Sequence, residues 1–155
     1  MFDVDNYIHI WYNLNVVSLS RYRDIGKNKL YDFQIDAVRE LTDGKHFIVA
    51  GCGAGKTPMA LVWAEWACKV TGKDNLLVVT TASKSRTGDF EEEADVWCPS
   101  LKNSLSSFSV ISWHKLKAWV NEHQFSLSSY VYIFDEVQRA KAGVSSGMGR
   151  AFLQI

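Results

Sequence analysis

The chain has 155 residues, enough to bury the core of one domain and too few for two, and its 47% hydrophobic and 22% charged residues are ordinary for a globular fold. Lysine plus arginine equals aspartate plus glutamate at 17 each, so no global field marks a nucleic-acid binder, and any such surface must be a local patch. No apolar run approaches bilayer length, and MFDVDNYIHI at the start carries acids where a secretory signal carries bases, which excludes a membrane partner and predicts a cytoplasmic protein.

Residues 1–25 are aromatic and polar without a clear period, and are read as an N-terminal extension packed on a domain spanning 26–155. YDFQIDAVRELTDG (31–44) predicts a helix with Phe33, Ala37, Val38 and Leu41 on one side and Gly44 just past its end. HFIVAG (46–51) is the first of four short apolar runs that read as strands buried on both faces; the others are NLLVVTT (75–81), FSVISW (108–113) and YVYIFDE (130–136). Between them, KTPMALVWAEWACKV (56–70) places Met59, Ala60, Val62, Trp63, Trp66, Ala67 and Val70 at helical spacing, while GDFEEEADVW (88–97) and HKLKAWVNEH (114–123) predict shorter helices. Strands alternating with helices imply right-handed βαβ units and a doubly wound parallel sheet, an α/β fold. There is no internal repeat, and the serine-rich stretch 104–109 is too short for a linker. Cys52, Cys68 and Cys98 form no C-x-x-C pair and are odd in number, which argues against a disulfide framework and a zinc site; all three are read as reduced.

The stretch VAGCGAGKTPMA (49–60) raises the first chemical question. Glycines are costly to order and bury nothing, so three of them around an alanine, ending on Lys56 and Thr57, are shaped for something other than packing. A strand delivers the chain to Gly51 and a helix takes it away from Lys56, which is the context a phosphate-binding loop requires. Small residues at Ala50, Gly51, Gly53, Ala54 and Gly55 let successive backbone N–H groups turn inward around phosphate oxygens, and the new helix adds its own free N–H groups. Lys56 can then reach the β- and γ-phosphates while the Thr57 hydroxyl ligates Mg²⁺. The usual pattern is G-x-x-x-x-G-K-[ST]; here Ala50 stands first. The bland alternative is a glycine-rich loop that happens to precede a lysine.

Support comes 79 positions after Lys56, where YVYIFDEVQ ends a buried run in Asp135 and Glu136. The C-terminal end of a strand in an α/β sheet opens onto the ligand crevice. Adjacent carboxylates there point to different sides and can divide two tasks, Asp135 holding the metal and Glu136 orienting and deprotonating a water. Two solvated acids beginning a loop are the alternative. TTASKSR (80–86) offers hydroxyls, backbone N–H groups, Lys84 and Arg86 at a strand end, which suits a sequence-independent grip on a phosphate backbone as well as it suits a solvated loop.

Taken in order, Gln34, the A-x-x-G-x-G-K-T loop at 50–57, LLVVTTASKSR at 76–86, VISWHKL at 110–116 and IFDEVQRAK at 133–141 resemble the first RecA-like lobe of superfamily 2 helicases and translocases, closest to the Snf2-like and phage-encoded branch. The resemblance runs from about residue 28 to the end of the sequence. That superfamily's phosphate loop begins with alanine, so Ala50 fits it. The resemblance implies a P-loop NTPase fold and an ATP and Mg²⁺ site in which Gly51, Gly53, Ala54, Gly55, Lys56 and Thr57 hold the phosphates. Thr57 and Asp135 take the metal, with Lys56, Asp135, Glu136 and Gln138 as the catalytic set. It assigns Gln34 to adenine, which a carboxamide can read by donating to N7 and accepting from N6, the alternative being a polar residue on a helix face; Tyr31 and Phe33 are placed to flank the ring, with Phe33 equally suited to the core. Gln138 would link the nucleotide site to nucleic acid and a second lobe. Ser83, Lys84, Arg86 and Ser112 fall where the family grips a strand of DNA, with RNA as the alternative; Trp113 and His114 are read as packing or facing water.

The sequence stops at GRAFLQI, where such a lobe would run on toward the motif that couples hydrolysis to movement, so the lobe is expected to be incomplete at its C-terminus. A second lobe would supply the arginine that stabilises the transferring phosphoryl group, worth about 10³–10⁵ in rate in comparable systems, so the chain by itself is expected to hydrolyse ATP very slowly. Two classes remain open. One is the ATP-binding lobe of a DNA helicase or translocase; the other is a truncated lobe that holds nucleotide or a partner protein as a regulator or decoy without turnover.

Overall fold

The computed structural model describes residues 30–43, 48–51, 53–141 and 143–155. In chain order these form helices α1 (Asp32–Thr42) and α2 (Lys56–Thr71) and strand β1 (Asn75–Thr80). Three helices follow, α3 (Lys84–Thr87), α4 (Asp89–Trp97) and α5 (Pro99–Ser104), then β2 (Ser107–Ser112) and α6 (Leu116–Glu122). Last come β3 (Tyr130–Phe134) and α7 (Gly147–Phe152). The expected extension at 1–25 lies outside the described residues, as do residues 44–47 and Cys52.

Four consecutive apolar residues, Leu76 to Val79, are fully buried, which requires cover on both faces of the strand they form. β1 is accordingly the central strand of a three-stranded parallel sheet of order β2-β1-β3. Its register pairs Val78 with Val110 on one side and with Ile133 on the other. Because side chains alternate, Leu76 and Val78 enter one core with Val131 and Ile133 from β3, Met59 and Val62 from α2, and Phe90 from α4. Leu77 and Val79 enter a second core with Trp113, Leu116 and Trp119 from the stretch leading into and through α6, and with Ala151 from α7. Each fully buried aliphatic side chain contributes about 1.5–3 kcal/mol. The chain is therefore mixed α/β, with a parallel sheet covered on both faces. β2 differs from the fully buried strand its apolar run suggests: it is an edge strand whose first five residues are half-buried, in keeping with serines at 107 and 109.

α2 is apolar nearly all round because it is enclosed, resting on α1, α4, β1 and β3. Met59, Val62 and Ala67 are buried as the spacing predicts, joined by Leu61, Ala64 and Cys68, while Trp63 and Trp66 are half-buried. Glu65 is buried too, and its carboxylate accepts from Lys69 Nζ at 2.7 Å and from Ser100 Oγ at 2.5 Å, which ties α2 to α5. Cys68 and Cys98 are buried thiols outside any disulfide, and burial pushes the Cys68 thiol up to about 11. On α1 the buried face is Gln34, Ile35, Val38 and Leu41; Phe33 stands exposed and stacks on Tyr31, ring centroids 5.9 Å apart.

The described part of the first expected strand departs from the sequence reading. Ile48, Val49 and Ala50 have no regular structure, Val49 is 98% exposed, and the segment pairs with none of β1, β2 or β3. An apolar run specifies a surface to be covered but not a backbone to pair with. Among the described residues β3 is the sheet edge, and a groove lined in part by residues 48–50 lies along its outer side.

Candidate functional site

Parallel strands open their carboxyl ends on one side of a sheet, and where two successive crossovers leave in opposite directions a crevice forms there. The order β2-β1-β3 puts such a reversal between β1 and β3, whereas the groove of this chain lies along the outer side of β3 and is lined by no residue of β1 or β2. The end of β3 and the start of α2 face each other over a groove of about 710 Å³, within the usual size of a small-molecule site. Lys56 and Thr57 line one wall, with Ala50 beside them; Asp135, Glu136 and Gln138 line the other.

The loop wall is built by two glycines. Gly53 and Gly55 lie at φ +76° and +74°, a conformation that other residues adopt only with strain, and Gly55 caps the start of α2 without a side-chain partner. The first-turn N–H groups of α2 are thus left for a ligand, and Pro58, which has no N–H, sits in that same turn. Lys56 Nζ donates to the carbonyl oxygens of Ala50 and Gly51, both at 2.9 Å. Among the described residues its ammonium has no carboxylate partner, so its charge is held by neutral acceptors that an anion can replace.

Gln34 buttresses this loop. It is buried on α1; its Oε1 accepts from the Tyr31 N–H at 2.8 Å, and its Nε2 donates to the Ala54 carbonyl at 3.0 Å. A Cβ at Gly55 would lie 2.2 Å from that same Nε2, so the loop approaches α1 as closely as only glycine permits. The carboxamide assigned to adenine is therefore engaged in holding the glycine loop against α1. The exposed Tyr31 and Phe33 pair stands on the same turn of chain.

The carboxylate wall is braced from three directions. The Asp135 N–H donates to the Val79 carbonyl at 2.9 Å, continuing the ladder past the end of β3. Its carbonyl accepts from Trp113 Nε1 at 2.7 Å. Its Oδ2 accepts from Thr80 Oγ1 at 2.7 Å and from Lys84 Nζ at 2.9 Å. Glu136 follows at φ +58° and ψ +44°, the left-handed conformation, and its Oε2 accepts from Gln138 Nε2. Left-handed backbone in a non-glycine residue costs about 1 kcal/mol and clusters at functional positions. The sequence reading does not foresee that Thr80 and Trp113 hold Asp135. It places Thr80 in the strand run 75–81 and among the hydroxyls offered to nucleic acid, and expects Trp113 to pack or face water; Trp113 is 1% exposed and, with Thr80, positions Asp135. Their only sequence signal is a hydroxyl and an indole at the ends of β1 and β2.

Of the residues expected to grip nucleic acid, Ser83, Lys84 and Arg86 share one turn of chain, and Ser112 is buried. Ser83 and Arg86 are exposed, and Arg86 makes no ion pair among the described residues. Lys84 is tied to Asp135, and Ser112 is buried at the end of β2, opposite Thr80 in the register. The stretch expected to offer free backbone N–H groups instead folds into α3. The amides of Ser85, Arg86 and Thr87 donate to the carbonyls of Thr81 and Ser83 and are not offered to a ligand.

The residues present suit a magnesium-nucleotide. Thr57 and Asp135 are hard oxygen donors on one groove, and Lys56 with the first turn of α2 supplies positive charge for phosphate. Among the described residues no group of three or more histidine, cysteine or acidic side chains gathers as a metal cluster, and no helix is long and apolar enough to cross a membrane. Compared with known proteins, the chain matches no family model, no curated protein and no solved structure.

Proposed function

We propose that this chain is the ATP-binding lobe of an ATP-dependent DNA helicase or translocase of the superfamily 2 type, with a RecA-like P-loop core that takes Mg·ATP in the groove between α2 and the end of β3. The observation that carries the reading is the convergence on one groove of Lys56, Thr57, Asp135, Glu136 and Gln138, drawn from two motifs far apart in sequence. A structural glycine loop has no reason to face a strand-end carboxylate pair.

In this reading the Lys56 ammonium leaves the Ala50 and Gly51 carbonyls for the β- and γ-phosphates, and the loop amides with the first turn of α2 hold the remaining phosphate oxygens. Thr57 and Asp135 would hold Mg²⁺, which when bound neutralises phosphate charge and polarises the terminal phosphoryl group. Glu136 accepts a proton from the attacking water, with its carboxylate aimed by Gln138. Gln34 holds the loop in the curvature that points its amides inward. Transition-state charge needs a further cation, which in this reading a second lobe would supply.

Calorimetry tests the reading. Wild-type protein should bind Mg·ATP, and Lys56→Ala should bind it at least about tenfold more weakly, since a charge-assisted contact to phosphate is lost. Equal affinities of the two proteins would sink the assignment.

A further inference from the structure

Lys84 stands at the junction of two roles. It is the cation nearest the proposed metal carboxylate, and it sits between Ser83 and Arg86 on the short helix that follows β1. Its ammonium lies 2.9 Å from Asp135 Oδ2, the oxygen that also accepts from the buried Thr80 hydroxyl. Among the described residues Asp135 Oδ1 takes no hydrogen bond, so one oxygen is braced and the other is left for a ligand. The lysine side chain is 39% exposed while the Asp135 side chain is 14% exposed: the carboxylate is fixed, and the cation is the partner able to move. The Asp135 main chain is fixed by its ladder bond to Val79 and by the bond from Trp113, and the buried Thr80 hydroxyl holds its carboxylate.

We propose that Lys84 is the resident counter-ion of Asp135 and is handed over to a nucleic-acid phosphate when Mg²⁺ and nucleotide occupy the groove. The proposal rests on the nucleotide reading above and adds a regulation to it. A divalent cation on Asp135 takes over the neutralisation of that carboxylate and repels the ammonium beside it. The freed lysine joins Arg86 and the Ser83 hydroxyl, which are exposed on the same turn of chain, and the three together offer a phosphate backbone one more positive contact than before. Nucleotide and single-stranded DNA then tighten each other's binding by the same factor, as linkage requires. While the groove holds no cation, the nucleic-acid surface lacks its central lysine.

The experiment is a double-mutant cycle of Asp135→Asn and Lys84→Met read by binding, not turnover. The probes are an oligo-dT single strand and Mg·ADP, and the protein is the full chain. The carboxamide introduced by Asp135→Asn can still accept from Thr80, and Lys84→Met keeps the apolar stem, so both variants should fold. Without nucleotide, Asp135→Asn should tighten DNA binding by about fivefold or more and steepen its log–log salt slope by about 0.7, the value of one added phosphate contact on a single strand. In the Lys84→Met background the same substitution should have no such effect, which separates a released lysine from a general loss of negative charge. Mg·ADP should tighten DNA binding to wild type by about fivefold and leave the affinity of Lys84→Met for DNA unchanged. A gain from Asp135→Asn that persists without Lys84, or no gain at all, would overturn the handover while leaving the nucleotide reading intact. Wild-type protein that binds DNA but no Mg·ADP would instead sink the nucleotide reading and the handover with it. Undetectable DNA binding by every variant at low salt would overturn the handover alone.

Discussion

The two walls of the groove are built on opposite principles. The loop wall is held by few and replaceable bonds: Lys56 rests on two of its own loop's carbonyls, and the cap of α2 is a bare glycine. The carboxylate wall is cross-braced, with Asp135 receiving hydrogen bonds from Trp113, Thr80 and Lys84 while it donates to β1. A wall that must wrap a ligand gains from bonds an anion can displace. A wall that must present a charge at a fixed point gains from bonds that hold it before the ligand arrives. The difference predicts that substitutions in the loop change affinity with little change in stability, while substitutions behind the carboxylates change stability first.

The largest effect should come from the brace. Trp113→Ala removes a buried indole from the second core and should cost about 3–5 kcal/mol of unfolding free energy. Trp113→Phe, which keeps most of the packing but leaves the Asp135 carbonyl without its donor, should cost about 1–2 kcal/mol. Urea unfolding of both proteins beside Lys56→Ala sharpens the contrast, because the loop substitution should stay within about 0.5 kcal/mol of wild type. A Lys56→Ala loss as large as that of Trp113→Phe would break it.

The next effect lies in α2, on the helix that carries the loop but far from either wall, and depends on pH. The Cys68 thiol ordinarily ionises near 9.0 and is pushed up to about 11 in the folded chain, first by burial. Between those values the unfolded chain has released a proton that the native chain keeps, so stability is full below about pH 9 and falls as pH rises toward 11. About 2–3 kcal/mol should be lost over that window, and Cys68→Ala should flatten the decline. Tyr132, pushed up to about 12 by burial and by neighbouring Tyr130, adds a further loss that begins near its ordinary value of 10.0. Parallel pH profiles for wild type and Cys68→Ala would show that another group is responsible.

The smallest effect concerns Glu136. Asparagine tolerates the left-handed backbone better than glutamate, so Glu136→Asn should raise stability by about 0.5 kcal/mol even though the contact to Gln138 is lost. The change is read as a shift of the urea midpoint at constant slope. A loss of the same size would mean that the Gln138 contact, and not backbone strain, dominates at this turn.

Local sequence was enough for most elements and for the two motifs they carry. Helix 56–71, strands 75–80, 107–112 and 130–134, and helix 89–97 lie within a residue or two of the periodic runs that announce them, and Lys56 does begin a helix just past a glycine turn. These features are local: hydrophobic period, capping glycine and β-branched run are set by neighbours a few positions apart. Packing in three dimensions was needed to make β1 central and β2 an edge, and to stand residues 48–50 across a groove from the sheet instead of within it. Packing also brought Gln34 to clamp Ala54, 20 positions away, and set Trp113, Thr80 and Lys84 to hold Asp135 from 22, 55 and 51 positions away. A hydroxyl, an indole or an ammonium carries no trace of its distant partner in the chain around it. Which polar groups meet is fixed by strand order and register, and these follow from how two apolar faces are covered at once.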